Sequence, residues 1–244
     1  RFLMTAVCLV NFSLAMLVTN VLRADPPKND AIIPVGKEDN EGWMNRHKAM
    51  NERVKQGNVD LLLIGDSITH GWEGAGKSVW EKYYTPRNAV NLGIGGDRTQ
   101  HILWRLDQGN VDGINPKLAV VMIGTNNSGT NTSEQIAEGI EAIITKLREK
   151  LPETEVLILG IFPRGPNAED AKRKVNEGAN TLVAASIEDE GDEMVHYLDI
   201  GKAFLEEDGT LSKEVMPDLL HLNEASYTTW AEQIESTVAA LMGE

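Results

Sequence analysis

Five short apolar runs set the rhythm of this chain: Val59–Ile64, Ala89–Leu92, Leu118–Ile123, Val156–Ile161 and Met194–Leu198. Each is too short for a helix and apolar almost throughout, the pattern of a parallel strand covered on both faces. Between the runs the period lengthens to that of a helix. Trp43, His47, Met50 and Val54 recur at i, i+4, i+7 and i+11, which predicts a helix ahead of the first strand. Thr132 and Gln135 have capping-box spacing; Ile136, Ile140, Ile143, Leu147 and Leu151 follow on one face, and Pro152 stops the helix. A further helix is predicted over 168–187 with Ala171, Val175, Leu182 and Val183 inward. A last one, from near Asn223, carries Tyr227, Ala231, Ile234, Val238 and Leu241 on one side. Strands that alternate with helices predict an α/β fold, a parallel sheet with helices on both faces. No internal repeat or second domain is visible, so residues 41–244 read as one domain.

The chain begins differently. Phe2 to Leu22 is apolar with few interruptions and runs into Arg23-Ala24-Asp25-Pro26-Pro27. We read residues 1–24 as a signal peptide cleaved after Ala24 and the product as exported, periplasmic or secreted; an uncleaved anchor is the other reading of an apolar run this long. Residues 25–40, rich in Pro, Lys, Asp and Gly, form a leader strap. Cys8, the one cysteine, lies inside the apolar run with no small residue before it, which argues against a lipoprotein. Without the leader the protein has no thiol for a disulfide, a nucleophile or a zinc site.

Among 244 residues, 23 Lys and Arg face 37 Asp and Glu, a formal net charge of -14. That charge repels phosphate backbones and anionic lipid surfaces, so neither a nucleic acid nor a membrane surface is an expected partner, and stable membrane insertion is not expected after processing. The leader holds Arg1 and Arg23 and no acidic residue, so the acidity belongs to the domain.

Open parallel sheets bind ligands beyond the carboxyl ends of their strands. The residues there are polar and rich in glycine. Gly65-Asp66-Ser67-Ile68-Thr69 follows the first run and places Ser67 at an expected helix start, where free N–H groups favour a developing anion. Taken alone, such a serine is usually an N-cap. Asn91-Leu92-Gly93-Ile94-Gly95-Gly96-Asp97-Arg98 covers the second strand end and lets the backbone approach a ligand. Gly124-Thr125-Asn126-Asn127 follows the third run. The Ser67 and Gly95 N–H groups with the Asn126 amide would form an oxyanion hole, although singly Gly95 reads as a turn and Asn126 as an Asx-turn. Asp218-Leu219-Leu220-His221 precedes the last helix. Its spacing lets the carboxylate hold one imidazole nitrogen while the other takes a proton from Ser67; alone, His221 is a polar residue at a helix start. The combination points to a serine nucleophile with a Ser67–His221–Asp218 triad.

These blocks resemble the SGNH, or GDSL, esterase and lipase superfamily, and within it the catalytic subunits of platelet-activating factor acetylhydrolase and their bacterial relatives. The matching pieces are LLLIGDSITHGW, NLGIGGDRTQHILWRL, VVMIGTNN, LGIFPRG and PDLLHL, spread from about Trp43 to Trp230. The resemblance implies a three-layer α/β/α sandwich with a flavodoxin-like five-stranded parallel sheet, and hydrolysis of short-chain esters, acetyl first among them, without a metal or cofactor. It matches Ser67 to the nucleophile, Gly95 and Asn126 to the oxyanion hole, and Asp218 and His221 to the rest of the triad. It also implies a homodimer; the alcohol side of the ester stays open among carbohydrate, lipid and small metabolite. An acyltransferase or thioesterase would use the same residues.

Other signals are weaker. Gly71–Ser78 fits the phosphate-loop pattern G-x-x-x-x-G-K-[ST], but Asp66 to His70 separate it from the first strand, so nucleotide binding is a lesser alternative. Arg98 stands where a dinucleotide fingerprint needs its third glycine, and Thr69 where the G-x-S-x-G elbow needs its last. His47, His70, His101 and His196 lack metal-ligand spacing, and packing is the expected role of His70 and His101.

Overall fold

The computed structural model describes residues 28–244, so the predicted signal peptide lies outside the described residues. Leu61–Gly65 (β1), Ala89–Gly93 (β2), Leu118–Met122 (β3), Glu155–Leu159 (β4) and Val195–Leu198 (β5) form one sheet, ordered β2-β1-β3-β4-β5 and parallel throughout. Every strand grows from one of the apolar runs. β4 ends at Leu159 although its run continues to Ile161, because the Asn180 side chain takes over the ladder: its Oδ1 accepts from Ile161 N at 2.7 Å and its Nδ2 donates to Ile161 O at 3.0 Å.

The pleat sends alternate side chains to opposite faces. Leu62, Ile64, Val90, Leu92, Ala119, Val121, Val156 and Ile158 pack against Glu41–Lys55 (α1), Thr99–Asp107 (α4), Ser133–Lys150 (α5) and Ala171–Glu190 (α6). Leu61, Leu63, Leu118, Val120, Leu157 and Leu159 pack beneath Ser67–His70 (α2), Lys77–Tyr83 (α3) and Glu224–Met242 (α7). The result is a three-layer α/β/α sandwich with flavodoxin-like strand order. On the α7 side Trp72 sits among Trp80, Tyr84, Tyr227 and Trp230, with ring centroids 4.5–6.2 Å apart.

The capping signals act as expected. Thr132 and Gln135 form the reciprocal capping box of α5, whose predicted face is buried, and Asn223 caps α7. The predicted face of α6 needs correction. Ala171 and Leu182 are exposed, Val175 is half-buried, and Arg173, Asn176, Ala179, Asn180 and Val183 point inward. Polar side chains occupy that face because they have hydrogen-bonding partners there: Asn180 holds the end of β4, and Arg173 pairs with Glu177 and donates to Gly209 O. Apolar periodicity cannot register a face built this way. α4 escapes apolar periodicity for the same reason, with Gln100 and Arg105 turned inward.

Within the predicted strap, Asn29 caps a 3-10 turn at Asp30–Ile32. The segment is then laid over α4 and α5: Thr99 Oγ1 donates to Ala31 O (2.8 Å), Asn131 to Asp30, and Val35 N to Gln100 O (3.2 Å).

Candidate active site

Strand order reverses on either side of β1, and the three loops leaving β1, β2 and β3 converge there, at the switch point of the fold. α2 leaves β1 at once and is one turn long. It is too short to hold itself, and two contacts fix it: Asp66 Oδ1 accepts from Ile68 N (2.9 Å), and Tyr227 Oη of α7 donates to Ile68 O (2.6 Å). Glycine is required beside it, since a Cβ on Gly93 would collide with the backbone of Thr69 and His70.

Ser67, half-buried at the head of α2, lies 2.9 Å from His221 Nε2. The other ring nitrogen, His221 Nδ1, lies 2.6 Å from Asp218 Oδ2, and Asp218 Oδ1 accepts from His221 N (2.7 Å) and Leu220 N (3.1 Å). The chain turns back on itself here through Leu219, whose φ of +61 lies in the left-handed region that a branched side chain adopts at a cost of about 1–2 kcal/mol. Gly165 N donates to Leu219 O (2.9 Å) and secures the turn. His221 and Asp218 are 44% and 56% exposed, so water reaches the imidazole directly. Burial pushes the Asp218 carboxyl up, but the hydrogen bonds from the His221 ring and backbone outweigh it and hold the carboxyl below the usual range.

Gly95 is exposed and faces the serine: a Cβ built on it would lie 4.0 Å from both Ser67 Cβ and His70 Nδ1. Among the described residues, neither the Ser67 N–H nor the Gly95 N–H donates a hydrogen bond. Asn126 differs from expectation. Its amide is already engaged, donating to Asp97 O at 2.9 Å and to Asp66 Oδ2 at 3.3 Å. The residues expected to meet are therefore together, with Asn126 tied back to its neighbours.

Sequence reasoning passed over Asp66, Asp97 and Arg105. Asp97 and Arg105 form a fully buried ion pair (2.9 Å) behind the Gly95 turn; their one signal in the sequence is a pair of opposite charges eight residues apart. Asp66 is buried too. Desolvation pushes its carboxyl up to about 7, reinforced by Asp97 and opposed by the Ile68 N–H, His221 and Arg164. Below about pH 4 folded and unfolded chains both hold this proton; between 4 and 7 the folded protein retains it while the unfolded chain releases it, so stability falls as pH rises through that window. Asp66→Asn removes the titration. Relative to that variant, the unmodified protein is expected to lose about 2–3 kcal/mol between pH 5 and pH 8 in denaturant titrations. Parallel stability curves for the two proteins would contradict the buried, proton-retaining carboxyl.

The remaining candidates have structural roles. His101 Nδ1 accepts from Arg98 N at the start of α4, and burial, reinforced by Lys37, pushes its imidazole down to about 4. His47 bonds Asn51 and Asn110, and His196 pairs with Glu155. The Gly71–Ser78 segment is not a phosphate loop. It comprises a 3-10 turn and the start of α3; Ser78 Oγ donates to Glu224, and the surface there carries the Glu81 and Glu224 carboxylates, which repel phosphate. Among the described residues no group of three or more His, Cys, Asp or Glu is placed to hold a metal ion.

Residues 63–228 match the model of the GDSL-like lipase/acylhydrolase family. Platelet-activating factor acetylhydrolase IB subunit alpha1 of Homo sapiens is 36% identical over 220 residues, 89% of this chain and 93% of its own length. The solved structure of a Streptococcus pneumonia protein named for platelet activating factor superposes with a TM-score of 0.66 at 23% identity, covering 80% of this chain and 92% of that one. A carbohydrate acetylesterase from Sinorhizobium meliloti gives 0.57 at 16%, covering 75% and 100%. At these identities the two structures show a shared fold.

The expectation of an exported, periplasmic or secreted product is overturned by the curated relatives, which are platelet-activating factor acetylhydrolase IB subunits. An apolar run reports a preference for leaving water and carries no address by itself, so the leader pattern did not license that conclusion. A family model spanning the strand-end loops, together with a relative of this identity and coverage, leads to one conclusion: the chain belongs to the GDSL-like lipase/acylhydrolase family and is a carboxylic ester hydrolase.

Proposed function

We propose that this hydrolase is a serine esterase that cleaves short acyl esters, acetyl above all, through Ser67, His221 and Asp218. The observation that carries the reading is the continuous line of contacts from Ser67 Oγ to His221 Nε2 (2.9 Å) and from His221 Nδ1 to Asp218 Oδ2 (2.6 Å). Asp218 favours the tautomer with the proton on Nδ1, so Nε2 is free to take the Ser67 proton as Oγ adds to the acyl carbonyl. The developing oxyanion receives the uncommitted Ser67 and Gly95 N–H groups, and Asn126 joins them by exchanging its long bond to Asp66 for one to the oxyanion. His221 then protonates the departing alcohol, and a water molecule, activated by the same imidazole, releases the acid from the acyl-enzyme.

The acetyl preference is supported by the relatives named as acetylhydrolase subunits and by the carbohydrate acetylesterase with the same fold. A panel of p-nitrophenyl esters from acetate to laurate tests it. The expected result is highest kcat/KM at acetate, with release of about one equivalent of nitrophenol per Ser67 in the first turnover if deacylation is slow. An optimum at long acyl chains would overturn the acetyl preference, and transfer to an added alcohol faster than to water would favour an acyltransferase.

A further inference from the structure

We propose that Lys37, in the strap ahead of α1, is a positioning residue for the turn that presents Gly95 to the oxyanion; the inference rests on the serine-esterase reading above. The turn runs from Ile94 to Asp97 and is closed by Asp97 N donating to Ile94 O (3.2 Å). It contains two successive glycines, and Gly96 sits at φ +72, in the left-handed region. Two successive glycines leave the turn wide φ/ψ freedom, so its conformation, and with it the direction of the Ile94–Gly95 peptide that carries the Gly95 N–H, has to be imposed by neighbours.

The strap supplies one of them. Lys37 Nζ donates to the Gly96 carbonyl at 2.8 Å and lies 3.3 Å from Asp97 Oδ1. That carboxylate is fully buried and gathers three elements. Trp43 Nε1 of α1 donates to Oδ1 (2.6 Å), Arg105 Nε of α4 donates to Oδ2 (2.9 Å), and Lys37 comes from the strap. The Asp97 carbonyl in turn accepts from Asn126 Nδ2 at 2.9 Å. Two of the three oxyanion donors, the Gly95 N–H and the Asn126 amide, therefore depend on one turn that Lys37 clasps from outside.

Lys37 can be replaced without emptying the core. Its side chain is 25% exposed, and Asp97 keeps Trp43 and Arg105 when it is gone, so no buried charge is left unpaired. A loss that reaches the oxyanion donors acts on the transition state and appears in kcat, with KM little altered.

The test is Lys37→Ala and Lys37→Arg in the full chain, assayed with p-nitrophenyl acetate and with methyl trifluoromethyl ketone, whose serine adduct carries an oxyanion. For Lys37→Ala the expected results are a fall in kcat of about tenfold, KM within about twofold, and a Ki for the ketone that rises in step with the fall in kcat. Lys37→Arg is expected to recover most of both, and the thermal midpoint of either variant to stay within a few degrees of the parent. An unchanged kcat, equal losses in Lys37→Ala and Lys37→Arg, or a kcat loss without a change in Ki would each overturn the role. The two readings fail separately: Ser67-independent hydrolysis removes the esterase mechanism, whereas Ser67-dependent hydrolysis that ignores Lys37 removes this inference alone.

Discussion

Replacing Ser67 with alanine is expected to lower kcat for an acetate ester by about 10⁴-fold or more while leaving the fold intact. The hydroxyl lies half-buried at the head of a single-turn helix, and the helix is held through Asp66 and Tyr227 bonding to the Ile68 backbone. Alanine preserves all of these backbone contacts. What disappears is the oxygen 2.9 Å from His221 Nε2, and among the described residues no other side chain hydrogen-bonds that nitrogen. Residual turnover would come from water activated by His221 at the surviving oxyanion donors. Steady-state kinetics beside a thermal melt of Ser67→Ala checks the prediction; turnover within tenfold of the parent, with an unchanged melt, would remove Ser67 from the mechanism.

Asn126→Ala is expected to cost a hundredfold or more in kcat, on the order of 3 kcal/mol of transition-state stabilisation, the usual consequence of losing an oxyanion donor. The amide also ties the three loops together, bonding Asp97 O at 2.9 Å and Asp66 Oδ2 at 3.3 Å. Its loss should therefore act twice, removing a donor and loosening the Gly95 turn. Asn126→Asp separates the two effects poorly, because a carboxylate next to Asp66 and Asp97 adds a third acidic group to a buried cluster. Alanine is the cleaner probe. Measured kcat near the parental value would mean that the Ser67 and Gly95 N–H groups suffice and that Asn126 serves the architecture.

How much of the site was legible depends on the range of the interactions concerned. The five strands and the amphipathic faces of α1, α5 and α7 follow from local hydrophobic period, because each strand and each stripe must be buried against something. α6 and α4 do not, since Arg173, Asn176, Asn180 and Arg105 face inward, each with polar partners far away in the chain. The His221–Asp218 contact was legible because both residues lie within one turn; the Ser67–His221 contact, spanning 154 positions, was inferred from the order of the blocks. Nothing local distinguishes the strap from a tether, yet it reaches the turn of Gly95 and Gly96 through Lys37.

By itself, then, the sequence determined the alternation of strand and helix and the acidity of the domain, and it singled out Ser67 as the candidate nucleophile. Hydrophobic period, charge and residue type are properties that neighbouring residues carry with them. The tertiary structure decided the rest: that Asn126 is tethered, that Asp66 is sealed from water and holds its proton to about pH 7, and that Lys37, Trp43 and Arg105 meet at Asp97. Those are consequences of burial and of contacts between distant segments. Both come into being when the sheet closes and brings three strand ends to one point.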